Sequence, residues 1–279
     1  MKGYIIMVNI KKTAWDNVNI ARNKERPSSN YYIYKISDKF VELHGDRCYG
    51  DDKAVITGVG KINEIAVCII GISKGETISE NVQRNFGMAS PEGYKKSLRV
   101  MKFAENHRMP IICFIDTPGA YCGVSAEENG QGMAIANNLV KMSRLKVPII
   151  SIFIGEGGSG GALALGICDK IFMLENSIYS ILSPEGFASI LWKDITRVKE
   201  AAEKMRLTAK DLKQLNVIDK IVEEPNGGAH NDRYSVAMLL RSRLIDEIDE
   251  LMKYDINTLL EKRYLKYRYI EQAFCNSLV

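Results

Sequence analysis

The chain has 279 residues, 46% hydrophobic, 26% charged and 8% aromatic, which argues against a disordered, collagen-like or membrane-spanning protein. Its 38 Lys and Arg against 34 Asp and Glu leave a formal charge of +4, too small a surplus to support nucleic-acid binding by itself. Six cysteines (Cys48, Cys68, Cys113, Cys122, Cys168 and Cys275) include no CxxC pair and read as reduced thiols of a cytoplasmic protein. Three histidines (His44, His107 and His230) are too few for a histidine-rich metal site, so no metal is expected here.

The opening MKGYIIMVNIKK has too short an apolar run for a secretory leader. The first forty residues are polar and mixed, with a loop at 27–30, and read as a surface-lying segment. Residues 65–72 form a continuous apolar, β-branched run, which predicts a buried strand. Residues 74–89 read as a loop. Ser90-Pro91-Glu92 supplies an N-cap, a first-turn proline and an acid on the helix dipole, opening a helix to about His107. A second buried strand is predicted at 110–116, ended by Thr117-Pro118-Gly119. Residues 127–145 then predict a helix with Ile135, Leu139 and Met142 on one face. A third strand spans 147–154 and breaks at Gly155. A short apolar helix at 162–166 and a fourth strand at 170–174 follow. Such alternation predicts an α/β domain with parallel pairing. Ser183-Pro184-Glu185 opens a helix ending near Trp192, and residues 208–211 cap a short helix before a strand at 217–222. From about Asp232 the chain is helical, with Leu239, Leu240, Leu244, Ile245 and Ile248 as its apolar stripe. The basic, tyrosine-rich run 261–269 reads as a solvated or subunit-facing helix rather than a nucleic-acid surface.

The run 155–161 places five glycines in seven residues and satisfies three patterns. As GxGxxG, Gly155, Gly157 and Gly160 open a helix, with Glu175 where a dinucleotide fold sets its ribose-binding acid. Yet only about nine residues separate the last glycine from the next strand, which is short for a crossover helix. As GxSxG, Ser159 is a nucleophile, with Asp219 or Asp232 and His230 downstream; their crowding into one late segment ranks this third. The remaining pattern needs no side chain. Glycines admit a close ligand, and the N–H groups of a helix start, with its dipole, stabilise an oxygen gaining charge. A packing role alone would be satisfied by one or two glycines. No GK[ST] follows a glycine-rich loop, so Walker A chemistry is excluded.

RNFGMASPEGY (84–94), FIDTPGAY (114–121), MSRLKVPI (142–149), IGEGGSGGALALG (154–166) and SPEGFASILWK (183–193) closely resemble the carboxyltransferase α-subunit family of bacterial acetyl-CoA carboxylase. AWDNVNIAR (14–22), ELHGDRCYGDDKAV (42–55) and PNGGAH (225–230) add to a resemblance that covers nearly the whole chain from Trp15. It implies a crotonase (ClpP/crotonase-like) α/β fold of repeated ββα units. This would span residues 41–250, between the N-terminal segment 1–40 and a charged helical tail 251–279.

The implied activity moves a carboxyl group from carboxybiotin, on a biotin carboxyl carrier protein, to acetyl-CoA, forming malonyl-CoA for fatty acid synthesis. A β subunit of similar fold completes an α2β2 heterotetramer, with biotin carboxylase in the larger complex. No cofactor is bound covalently by this chain, and zinc belongs to the β subunit alone. The resemblance also carries an expectation of ATP binding. The oxyanion hole for the biotin ureido oxygen maps onto Gly160 and Gly161, with Gly157 and Gly158 shaping the turn. Lys74 and Arg84 are the implied CoA-binding cations. Asp116, Gly119, Tyr121, Ser183, Glu185 and Gly186 frame the site. Glu76, Ser79, Asn81 and Gln83 stand where the family carries cations, Cys122 where it carries proline and Phe187 where it carries cysteine. The family's N-terminal helical extension is also expected to be missing. The alternatives are a self-sufficient acyl-CoA hydratase or decarboxylase, or a scaffold or regulatory paralogue.

Overall fold

The computed structural model describes residues 12–276, the last six by backbone alone; the apolar start of the chain and the Cys275 side chain lie outside what it describes. In chain order the elements are α1 (Ala14–Ala21), α2 (Ser29–Ile36), β1 (Lys39–Glu42), β2 (Val55–Ile62), β3 (Ile65–Ile72), α3 (Ile78–Gln83) and α4 (Pro91–Asn106). Then come β4 (Ile111–Thr117), α5 (Val124–Glu128), α6 (Gln131–Met142), β5 (Ile149–Gly158), α7 (Ser159–Leu163), β6 (Lys170–Leu174) and β7 (Ile178–Ser180). The chain continues through α8 (Pro184–Phe187), α9 (Val198–Met205), α10 (Ala209–Gln214), β8 (Lys220–Val222), α11 (Arg233–Met252) and α12 (Ile256–Asn276).

The sheet order is β1-β2-β3-β4-β5-β6-β8, with β7 added beside the end of β5. β1, β2 and β3 pair antiparallel, and every pairing from β3 onward is parallel. Helices cover both faces, so the central strands read as unbroken apolar runs. In β4, Ile111, Cys113 and Ile115 face a core completed by α4, α6 and α10, while Ile112 and Phe114 face one completed by α2 and α11. Buried apolar surroundings push the Cys113 thiol well above its ordinary range, consistent with an inert core residue.

Both flanking segments pack into the body of the protein. Val18, Tyr32, Ile33 and Ile36 have no exposed surface, unlike the surface-lying segment expected from composition. The reason is local: Thr13 with Asp16 and then Ser28 cap two short helices that turn apolar faces inward, and Tyr32 stacks on Phe114 at 5.9 Å. The basic run 261–269 is likewise bound to the chain's own body. Arg263 is 1% exposed and Tyr267 Oη sits within 3.1 Å of the Gly166 and Cys168 carbonyls.

Arg26 fastens the N-terminal segment to the sheet. Its Nε donates to the Ile154 carbonyl at 2.5 Å, and its two terminal nitrogens grip Glu224 at 2.8 and 2.5 Å. Burial opposes ionisation of Glu224, but Arg26 outweighs it and holds the carboxyl below the usual glutamate range. A depressed folded value means this stabilisation is complete above the ordinary glutamate pKa and is lost as pH falls through the lower folded one. Urea midpoints measured from neutral pH down to pH ~3 should therefore fall more steeply on the acid side in wild type than in Glu224→Gln; parallel curves would refute the coupling.

Candidate active site

The glycine run is not a loop. β5 continues through it to Gly158, because Gly157 and Gly158 pair with Tyr179 and Ser180 of β7, and the Glu156 N–H donates to Asp116 Oδ1 at 3.0 Å. The turn into α7 falls at Ser159, whose φ of 51° is left-handed backbone. A Cβ on Gly158 would lie 2.1 Å from the Pro118 carbonyl oxygen, and one on Gly161 would lie 2.5 Å from Ala120 N. Gly157 is pressed against the Phe153 ring, where a Cβ would come within 2.4 Å. At these positions glycine is needed for packing, which lets the first turn of α7 lie against the turn at 117–120. Gly160 is different: a Cβ there would meet only the Ile135 side chain, at an ordinary van der Waals distance of 3.8 Å.

The amides of Ser159, Gly160 and Gly161 belong to that first turn and have no preceding helical carbonyl to bond. The Tyr94 hydroxyl donates to the Gly161 carbonyl at 3.4 Å from inside the core. Ser159 and Gly160 open on a cleft of about 340 Å³ lined also by Leu163, Tyr179, Ser180, Ile181, Leu212 and Val217. Burial pushes the Tyr179 phenol up to about 12. None of the residues lining this cleft is a carboxylate or a histidine.

Behind the turn runs a chain of ion pairs. Lys74 lies 3.0 Å from Asp116 and 2.7 Å from Glu156; Arg22 lies 2.6 Å from Glu156 and 2.7 Å from Glu185. Burial works against both the ammonium and the carboxylate, but the partners prevail: Lys74 titrates above its ordinary range, Glu156 below its own. Lys74, expected to meet a CoA phosphate, is therefore committed to two carboxylates of its own chain. Arg84 is not brought to this cluster; its guanidinium donates to the Lys53 carbonyl at 2.5 Å. A larger cleft of about 790 Å³ adjoins the ion pairs, lined by Arg22, Lys24, Lys74, Asp116, His230 and Arg233 among others.

The other framing residues have local duties. Ser183 caps α8 by accepting the Gly186 N–H at 3.1 Å, Gly119 donates to Thr117 Oγ1 at 3.1 Å, and the Tyr121 carbonyl accepts from Gln131. The segment read as a cation-poor loop is the helix α3, with a Thr77–Glu80 capping box. There Asn81 clamps Gly75, Gln83 accepts from Lys53, and Glu76 accepts from Ser28. Cys122 is exposed and Phe187 packs edge-on against Trp192 at 5.2 Å.

Two readings of the glycine run fall on this geometry. Gly155 and Gly157 are strand residues, α7 has only five residues, and the Glu175 carboxylate accepts the Glu224 N–H, so no dinucleotide crossover exists. No triad forms around Ser159 either: Asp219 pairs with Lys266, Asp232 caps α11, and His230 lines the larger cleft. Arg22 and Glu156 escaped the sequence analysis as site residues. The signal was Glu156 itself, a lone charge in an apolar, glycine-rich strand, which requires a buried counter-ion.

Residues 7–271 match the family model described as acetyl co-enzyme A carboxylase carboxyltransferase-like. The chain is 58% identical over 258 residues to the acetyl-coenzyme A carboxylase carboxyl transferase subunit alpha of Clostridium perfringens, covering 92% of this chain and 95% of that one. In Clostridium tetani a protein described as subunits beta/alpha is 55% identical over 260 residues, 93% of this chain and 45% of its own length. Among solved structures, a Pseudomonas malonate decarboxylase hetero-tetramer in complex with coenzyme A matches with a TM-score of 0.69 at 13% identity, over 90% of this chain and 98% of that one. This agrees with the expected crotonase-type α/β fold. ATP binding finds no support among these relatives, and no helix among the described residues is long and apolar enough to cross a membrane.

Proposed function

Because the chain belongs to the acetyl-CoA carboxylase carboxyltransferase family as an α subunit, we propose that it supplies the oxyanion-stabilising half of a carboxyl-transfer site shared with its β subunit. The observation that supports this reading is the cleft at Gly160: the first turn of α7 borders it, and no carboxylate or histidine lines it. Such a site stabilises developing negative charge but cannot itself remove a proton. Carboxybiotin on its carrier protein supplies the carboxyl group. The amides around Gly160 and Gly161 then hold the ureido oxygen as it gains charge, and the apolar walls at Leu163, Ile181 and Val217 accept an apolar ring and its aliphatic arm. Proton removal from acetyl-CoA falls to the biotin ureido oxyanion left when carboxybiotin releases CO2, and the enolate so formed attacks that CO2, so no residue of this cleft is needed as the base. With Lys74 committed to Asp116 and Glu156, attraction of CoA phosphates rests on Arg84, Lys24 and Arg233 and on the β subunit. Zinc is assigned to the β subunit.

The isolated chain should form almost no malonyl-CoA from carboxybiotin and acetyl-CoA, and added β subunit should restore transfer. Full activity of the chain alone, or turnover of acyl-CoA esters without biotin, would instead establish a self-sufficient crotonase. Co-purification with the β subunit but no transfer at saturating substrates would leave a scaffold.

A further inference from the structure

We propose that Arg22 is a positioning residue for the glycine turn, holding it through Glu156 and tying it to the start of α8, a role that rests on the carboxyltransferase reading above. Glu156 is the one charged residue between Gly155 and Gly161, and it is only 9% exposed. A carboxylate placed there needs cationic partners, and two reach it. They are not equivalent. Lys74, at 2.7 Å, returns to Asp116 and so links strand ends that the β3–β4–β5 ladder already holds together. Arg22 arrives from the C-terminal end of α1, outside the sheet. Its planar fork spans two carboxylates, with Nε on Glu156 Oε1 at 2.6 Å and one terminal nitrogen on Glu185 Oε1 at 2.7 Å.

Glu185 lies in the first turn of α8, and the ladder between β5 and β7 ends at Ser180. Beyond that residue the chain passes through the exposed Ile181 before α8 begins, with no strand pairing to hold its distance from β5. Arg22 supplies that connection. It thereby sets the glycine turn against the segment that borders the Gly160 cleft through Ser180 and Ile181. Amide donors that act on a transition state lose their effect when misplaced by about 1 Å, which costs on the order of 10²-fold.

The test uses the α subunit assembled with its β subunit, measuring carboxyl transfer from carboxybiotin to acetyl-CoA together with the thermal midpoint of each variant. Arg22→Met should lower kcat by about 10–100-fold while KM for acetyl-CoA stays within about 2-fold. Arg22→Lys, which can serve one carboxylate but not both, should recover only part of the loss. Glu185→Gln should reproduce most of it, and the double variant R22M/E185Q should be no worse than R22M. Wild-type kcat in R22M, a rise in KM alone, or a loss that tracks the unfolded fraction at each temperature would overturn the proposal. Failure of the wild-type pair to transfer carboxyl groups would refute the carboxyltransferase reading itself, so the two failures are distinct.

Discussion

Gly161→Val is expected to reduce carboxyl transfer by about 10²–10³-fold or more, while association with the β subunit persists. A Cβ at this position would stand 2.5 Å from both Ala120 N and Gly119 C, atoms of main chain that cannot rotate aside. Valine adds two further methyls in the same direction, so α7 must withdraw from the turn at 117–120. That withdrawal shifts the helix start that borders the cleft at Gly160, and losing one well-placed oxyanion donor alone costs about 10²–10³ in kcat. Gly160→Ala separates chemistry from packing, because its methyl enters space whose nearest atom is 3.8 Å away. Its thermal midpoint should match wild type, so any fall in turnover reports the approach of the ligand to the helix start. Wild-type turnover in Gly161→Val would remove the oxyanion assignment.

Elements buried on both faces were legible from the chain alone. β3 and β6 lie at 65–72 and 170–174 as read, because a strand covered by helices on each side is apolar throughout. The starts of α4, α8 and α10 were marked by Ser-Pro or a Thr–Asp capping box, which act within one turn. β2 was not legible: Gly58, Gly60 and Lys61 interrupt its pattern, and antiparallel pairing with β1 and β3 makes VITGVGKI a strand. The same cause extends β5 into residues that look like strand breakers, since partners on β4 and β7 decide the matter. The helix read across 127–145 breaks at Gly130, whose φ of 79° ends one helical run and begins another.

At the site, the glycine turn could be read because its signal is local, whereas the roles of its charged neighbours could not. Lys74 and Glu156 are 82 positions apart, Arg22 and Glu156 are 134 apart, and no periodicity connects them. A cation read by itself looks available to a phosphate. Its commitment appears only when folding brings carboxylates within 3 Å, and this is why Lys74 reads as a substrate contact in the sequence and as an internal counter-ion in the structure.

Arg263→Met is expected to lower the unfolding free energy by about 3–5 kcal/mol, the usual cost of leaving a buried charge without its partner. Arg263 directs Nε and one terminal nitrogen at the two oxygens of Asp169, at 2.8 and 2.7 Å. The remaining donors reach the carbonyls of Met142, Leu145 and Val147 between 2.7 and 2.9 Å. One side chain thus joins α12, the end of α6, the approach to β5 and the start of β6. Methionine keeps most of the volume but strands Asp169 and three main-chain acceptors. Lysine is no remedy, because a point charge cannot reproduce five donors fixed in a plane. Asp169→Asn added to Arg263→Met removes the stranded charge while an amide oxygen remains to accept the Ile149 N–H, now made at 2.7 Å. The double variant should therefore be more stable than Arg263→Met alone, a non-additivity that separates charge stranding from lost contact area. Urea unfolding of wild type, Arg263→Met, Asp169→Asn and the double variant measures both effects. A loss below about 1 kcal/mol in Arg263→Met, or strict additivity, would show that α12 is held by its apolar contacts and that this buried pair is incidental to the seating of β5.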